Sequence, residues 1–354
     1  MSFLQICDIM FDMKNSQVNE NLKKVVAKRN FYTNKDAGNV YLYALLLPLA
    51  VGLLFCYVSI SIAEGAGMIV PEGENVISYM FANYVWFSVP YMILTQLVFF
   101  LIYVCYSKIN RIKFSACNVS FKKAKPTIAL VSVGAGIVAV WGLIFLIEGA
   151  FGAMFSSMGI VSDSLGLPLN TVGWLFVNLL IAGVLPAICE ELLFRGIIFQ
   201  GMKERFSALA SVLLNGLLFA LMHQSIQQFI YPFILGCVLS VLMHRTNNLL
   251  YPILMHMANN FMTIIISFLQ INGYINLPLA NMPWWLIIIA VLLAVATGAL
   301  FYVIDRFFLK KQEKVKVEKE GECYQTEPFK IGKMPITMAL GGLVALAFLI
   351  VNLL

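Results

Sequence analysis

The titratable side chains that fall inside apolar sequence concentrate between residues 171 and 270. The run Glu190-Glu191-Leu192-Leu193-Phe194-Arg195 follows the apolar stretch Trp174 to Cys189 without a break. At about 100° per residue in a helix, Arg195 projects roughly 40° from Glu191 and nearly opposite Glu190. Glu191 and Arg195 are therefore the natural i,i+4 ion pair, and Glu190 turns to another face as the carboxylate free for chemistry. Pro186, four residues before Glu190, cannot donate the helical hydrogen bond to Ala182, so a kink or opening is expected there. The competing reading places both glutamates and Arg195 at a helix end, where they mark a membrane boundary.

The chain has three histidines. Two lie in apolar runs with helical spacings: Phe219 stands one turn before His223, with Asn215 one turn earlier, and Asn260 stands one turn after His256. His244 falls at the end of its run beside Arg245, which suits a boundary position. Phe219 reads as a packing residue that fixes the His223 rotamer, and Asn215 and Asn259 as supports. A desolvated carboxylate is a usable general base toward water. An adjacent imidazole can relay that proton, while a second imidazole and a carboxamide can donate hydrogen bonds to the oxyanion formed when water attacks a carbonyl. This is the side-chain set of a hydrolase. The seven cysteines are scattered with no CxxC spacing, which argues against a zinc cluster or a disulfide framework, and Cys189 reads as a small buried apolar residue.

The elements that must position these groups are membrane helices. The 354-residue chain is 60% hydrophobic and 12% charged, against roughly 25% charged in soluble domains. Apolar runs able to cross a core of ~30 Å occur at 41–63, 84–106, 127–158, 171–195, 207–223, 226–243, 249–270, 284–308 and 334–354. The expected fold is an all-α polytopic transmembrane bundle of about 8–9 spans. Lys and Arg gather in the N-terminal arm, in 107–126, around Lys203 and Arg205, at Arg245 and in 310–333, whereas 64–83 carries Glu64, Glu72 and Glu74 with no basic residue. The positive-inside rule then puts the N-terminus in the cytoplasm. The net charge of +6 reads as this asymmetry plus attraction to anionic lipid, and not as a nucleic-acid footprint. The expected organisation is a cytoplasmic arm at 1–40, three leading helices within 41–170, a catalytic core at 171–270, an eighth helix within 271–311, a charged cytoplasmic linker at 312–333 and a peripheral helix at 334–354.

Taken in order, Glu190-Glu191-x-x-x-Arg195, Phe219-x-x-x-His223 and His256-x-x-x-Asn260 resemble the motifs of the CPBP family, which includes the CAAX prenyl endopeptidases and the bacterial Abi proteins. The resemblance covers residues 171–265. It implies an intramembrane endopeptidase acting on a membrane-associated protein or peptide, with Glu190 and His223 activating water, His256 and Asn260 binding the oxyanion, and Arg195 holding the glutamate helix through Glu191. It also suggests a multi-pass location in a bacterial plasma membrane. Members of the family have been described as metalloproteases. Zinc held by Glu190, His223 and His256 is chemically possible, but without a tight metal-ligand spacing a metal-free reaction is favoured. The readings from other classes are a transporter or proton or ion pathway, and a non-catalytic membrane scaffold or immunity protein.

Depth is the unresolved point. At 1.5 Å rise per residue, Glu190 and His223 come out roughly 20–25 Å from the cytoplasmic residues Arg205 and Ser207, but His256 only about 10 Å from Leu249. Straight helices would not bring them together unless the Arg245 to Asn248 turn is recessed or a proline kink shifts the heights.

Overall fold

The computed structural model describes residues 29–122, 124–139, 167–226, 229–276 and 333–351, with the single positions 288, 292, 295 and 299. The chain is an all-α membrane bundle, and no strand occurs among the described residues apart from one isolated bridge between Arg29 and Ile112. Its helices are α1 (Asn34–Gly65), α2 (Val76–Asn83), α3 (Val85–Ile109), α4 (Pro126–Ala139), α5 (Val172–Met202), α6 (Ala208–Met222), α7 (Ile230–Thr246), α8 (Leu250–Ile271) and α9 (Ile336–Val351). The expected eighth helix and the 312–332 linker lie outside the described residues, as does the segment after α4.

The span count corrects the expectation of eight or nine. Among the described residues only α1, α3, α5 and α8 are long and apolar enough to cross a membrane. Helices α6 and α7 have 15 and 17 residues, or about 22 and 26 Å at the helical rise, short of a ~30 Å core. They pack against each other as a hairpin. Helix α1 starts ahead of its apolar run because Thr33 and Asp36 close a capping box at its N-terminus.

Backbone contacts gather the basic segments at one end. The Arg29 N–H donates to the Arg111 carbonyl at 2.9 Å, and Lys113 N–H to that of Arg29 at 2.8 Å. Asn34 joins two more segments, its backbone N–H donating to Glu204 at 2.7 Å and its side-chain amide to the Lys333 carbonyl at 2.9 Å. At the opposite end lie Glu64, in the last turn of α1, and Glu72 and Glu74, in the loop that leads toward α3.

Helix α5 is the axis of the bundle. It packs on α1, α3 and α8, and Leu193, Ile197, Ile198, Phe199 and Met202 are fully buried along it. Glycines set the close crossings, because helices in lipid associate by packing and small residues let backbones approach. A Cβ on Gly201 would meet the Thr33 carbonyl oxygen at 2.3 Å, and one on Gly136 the Met255 carbonyl oxygen at 2.5 Å. Helix α9 is tied in the same way, with Gly38 against Thr337 and Gly341 against Tyr41, and with Met338 and Ala345 buried in the core. It is more closely integrated than a peripheral helix.

The α6–α7 hairpin depends on Gly216. A Cβ there would lie 2.4 Å from Cys237 Sγ and 3.0 Å from the Phe233 carbonyl oxygen. Gly216→Ala is expected to cost about 1–3 kcal/mol, read as a lowered unfolding midpoint in detergent; an unchanged midpoint would show that the crossing is looser than described.

Candidate functional site

The two glutamates sit in the interior of α5, about three turns before its end at Met202 and not at a helix end. Two π turns, Leu179–Val184 and Phe194–Ile198, flank the segment that carries them, and such turns inside α-helices often mark functional positions. Glu191 and Arg195 are both fully buried, and Arg195 Nη1 donates to Glu191 Oε1 at 2.6 Å. The i,i+4 pair expected from the spacing is present.

Arg195 reaches across to a second helix. Its Nη2 donates to the Gly236 carbonyl on α7 at 2.9 Å. That carbonyl also accepts from the Ser240 hydroxyl at 2.7 Å, and Ser240 Oγ accepts from the Asn215 amide on α6 at 2.9 Å. The guanidinium lies 4.5 Å from the centre of the Phe219 ring, a cation–π distance. One side chain thus joins α5, α6 and α7 at a single level.

His256 joins this group through the other glutamate from the one sequence reasoning made chemical. Its Nδ1 lies 3.0 Å from Glu191 Oε1, with the imidazole almost wholly buried. No hydrogen bond or ion pair joins His256 to Glu190 among the described residues. The depth mismatch is resolved by recession of the α7–α8 turn. Leu249 is fully buried, and its Cδ2 lies 3.4 Å from where a Gly196 Cβ would be. The start of α8 therefore stands beside Gly196, six residues or about 9 Å short of the end of α5. Residues 117–120 fill the space beneath. Cys117 lies against Gly196, Leu249 N–H donates to the Asn118 carbonyl at 3.0 Å, and the Asn248 amide donates to the Ser120 carbonyl at 2.8 Å.

His223 is the C-cap of α6, half-buried at the top of the hairpin. Its ring stands edge-on to Phe219 at 5.0 Å, and Phe219 stands edge-on to His256 at 5.9 Å. His223 Nδ1 lies 2.9 Å from the Phe219 carbonyl oxygen. A carbonyl only accepts, so the proton of a neutral ring sits on Nδ1 and Nε2 is left as an acceptor. The same reasoning applies to His256 on the Glu191 carboxylate, and a donor at His256 Nε2 then requires a doubly protonated ring. Glu190 is half-buried and makes no hydrogen bond or ion pair among the described residues.

Asn260 fills the position that Pro186 opens. Its Nδ2 lies 3.4 Å from the carbonyl oxygen of Ala182, the acceptor that Pro186 cannot reach for want of an N–H. Asn259 donates to Asn260 Oδ1 at 3.3 Å, and the Tyr231 hydroxyl donates to Asn259. The amide plane of Asn260 is thereby fixed from both sides, with the second hydrogen of its NH2 group uncommitted. Sequence reasoning missed Tyr231, Ser240 and Gly236. A polar tip on an aromatic inside an apolar run was the available signal for Tyr231, since buried tyrosine hydroxyls find partners; a backbone carbonyl such as that of Gly236 has none. Cys189 is buried, as expected. His244 is exposed in the last turn of α7, close to Arg245. Among the described residues, no three His, Cys, Asp or Glu side chains gather closely enough to share a metal ion, so Glu190, His223 and His256 do not form a ligand set as they stand.

Comparison with known proteins bears out the resemblance read from the motifs. Residues 172–262 match the family described as type II CAAX prenyl endopeptidase Rce1-like, a segment that runs from the start of α5 to just beyond Asn260. Over 146 residues the chain is 23% identical to a Bacillus subtilis (strain 168) protein named "Putative membrane peptidase YdiL", a match covering 38% of this chain and 60% of that protein. No solved structure matches significantly.

Removing one partner of a buried ion pair leaves the other charge uncompensated. Arg195→Met is expected to cost about 3–5 kcal/mol, and combining it with Glu191→Leu to cost less than the sum of the single changes, in thermal unfolding of the detergent-solubilised protein. Strict additivity would mean that the pair is not coupled.

Proposed function

We propose that the chain is a multi-pass intramembrane endopeptidase that hydrolyses a peptide bond of a membrane-associated protein or peptide. The observation that carries this reading is the division of labour between the adjacent carboxylates. Glu191 is engaged by Arg195 and His256, which leaves Glu190 half-buried and unpaired beside them. The family match over 172–262 supports the same reaction class.

In this mechanism Glu190 accepts a proton from water as the water oxygen attacks the substrate carbonyl, while His223 Nε2 accepts the water's other hydrogen as a hydrogen bond. Negative charge moves to the carbonyl oxygen. The second N–H of Asn260 and a doubly protonated His256 donate to it. Collapse of the tetrahedral intermediate breaks the C–N bond, and Glu190 returns its proton to the leaving nitrogen, giving a carboxylic acid and an amine. Glu191 and Arg195 act at one remove, by holding His256 and the interior of α5 in place.

We further propose that the basic end of the bundle faces the cytoplasm of a bacterial cell, because basic residues are retained on that side. The reaction needs no metal in this scheme. Among the described residues, Glu190, His223 and His256 are not gathered as ligands.

The expected outcome for purified Glu190→Gln is a well-folded protein whose cleavage of a membrane-peptide library is slowed by at least about 10²-fold, the scale of general-base catalysis. Cleavage at the wild-type rate would remove Glu190 from the chemistry. Turnover of the wild type is expected to survive chelation and dialysis; loss of activity that zinc alone restores would overturn the metal-free scheme.

A further inference from the structure

We propose that the basic end of the bundle holds one anionic phospholipid, its phosphate among Lys35, Arg205 and Lys333 and an acyl chain along α6. This site is remote from the glutamates, and it does not depend on the peptidase reading. Two cavities carry it. The first, of about 560 Å³, lies where the N-termini of α1 and α9 meet the α5–α6 turn, and Lys35, Asn34, Glu204, Arg205 and Lys333 line it. The second is an apolar groove of about 430 Å³ lined by Phe206, Leu213, Leu217, Phe233 and Met334. Met334 lines both, so the charged cavity and the apolar groove adjoin.

Charge and shape select the occupant. Three cations face one carboxylate. That carboxylate is partly spent already, since Glu204 accepts the Asn34 backbone N–H at 2.7 Å and lies 3.6 Å from Arg205 Nε. The remaining positive charge suits a phosphate, and basic pockets between membrane helices near a bilayer surface recognise anionic headgroups. From Phe206 to Leu217 the groove follows α6 toward the membrane interior for about 16 Å at the helical rise. Leu213 and Leu217 are exposed along it. A free phosphate would use the cavity and leave the groove empty; a phospholipid fills both. The lipid would bridge α1, α6 and α9, adding to the contacts by which the last helix is held.

The full chain, delipidated in detergent, is to be titrated with phosphatidylglycerol, phosphatidylcholine or inorganic phosphate while thermal unfolding is followed and bound lipid is counted by native mass spectrometry. Phosphatidylglycerol is expected to raise the unfolding midpoint well above the shift given by phosphatidylcholine, and phosphate alone to give none. The triple change Lys35→Gln, Arg205→Gln, Lys333→Gln should reduce retained phosphatidylglycerol at least fivefold, and Leu213→Trp, which fills the groove, should do so with the cations intact. Lys333→Gln alone keeps the backbone carbonyl that anchors Asn34, so a partial loss there reads the headgroup contact without a folding defect. Equal retention by the triple variant, an equal shift from phosphatidylcholine, or a full shift from inorganic phosphate would each overturn the proposal.

Discussion

A guanidinium with no exposed surface, inside a bundle built for lipid, can persist only if nearly every group around it is placed to receive it. While its Nε and Glu191 Oε2 have no hydrogen-bond partner among the described residues, Arg195 meets most of this demand with groups from three helices: the Glu191 carboxylate on its own helix, the Gly236 carbonyl on α7 and the Phe219 ring on α6. Each of these is positioned by something further out. The Gly236 carbonyl depends on the glycine crossing of α6 and α7, where a single Cβ would collide with the facing backbone. Phe219 depends on the same crossing, because it lies on the face of α6 that meets Gly236.

The consequence for the site is a sorting of charges. Two adjacent glutamates in an apolar interior would repel each other and be costly to ionise together. With Arg195 and His256 committed to one of them, the pair divides into a structural carboxylate and an available one. His256 is oriented by the same oxygen that accepts from Arg195, and His223 is oriented by the backbone of Phe219. The two imidazoles are thus held by different devices on either side of one aromatic ring, and each presents its Nε2 away from its anchor. Asn260 is held independently, through Asn259 and Tyr231 and through the carbonyl that Pro186 releases.

Some of this was legible in the sequence for simple geometric reasons. The Glu191–Arg195 pair follows from four-residue spacing, the opening at Ala182 from the missing N–H of Pro186, and the division of the glutamates from their 100° offset. The all-α membrane fold follows from the length and repetition of the apolar runs. What was not legible depended on heights between helices. Counting residues from the start of α8 placed His256 too shallow, because residues 117–120 fold under the α7–α8 turn and recess it, a tertiary arrangement with no local signal. The same counting treated 207–223 and 226–243 as full spans, whereas they form a hairpin of helices of 15 and 17 residues, below the length criterion for crossing a membrane. Asn260 was read only as a donor to substrate; that it also repairs the gap left by Pro186 needed the two helices side by side.

The central claim is that Glu191 holds the site while Glu190 performs its chemistry, and Glu191→Gln tests it most directly. A single-turnover assay and a thermal unfolding curve on the same preparation separate the two roles. The account predicts a lowered unfolding midpoint with cleavage slowed but measurable below that midpoint. A Glu191→Gln protein as stable as wild type but devoid of cleavage would contradict it, and would make Glu191 the reacting carboxylate.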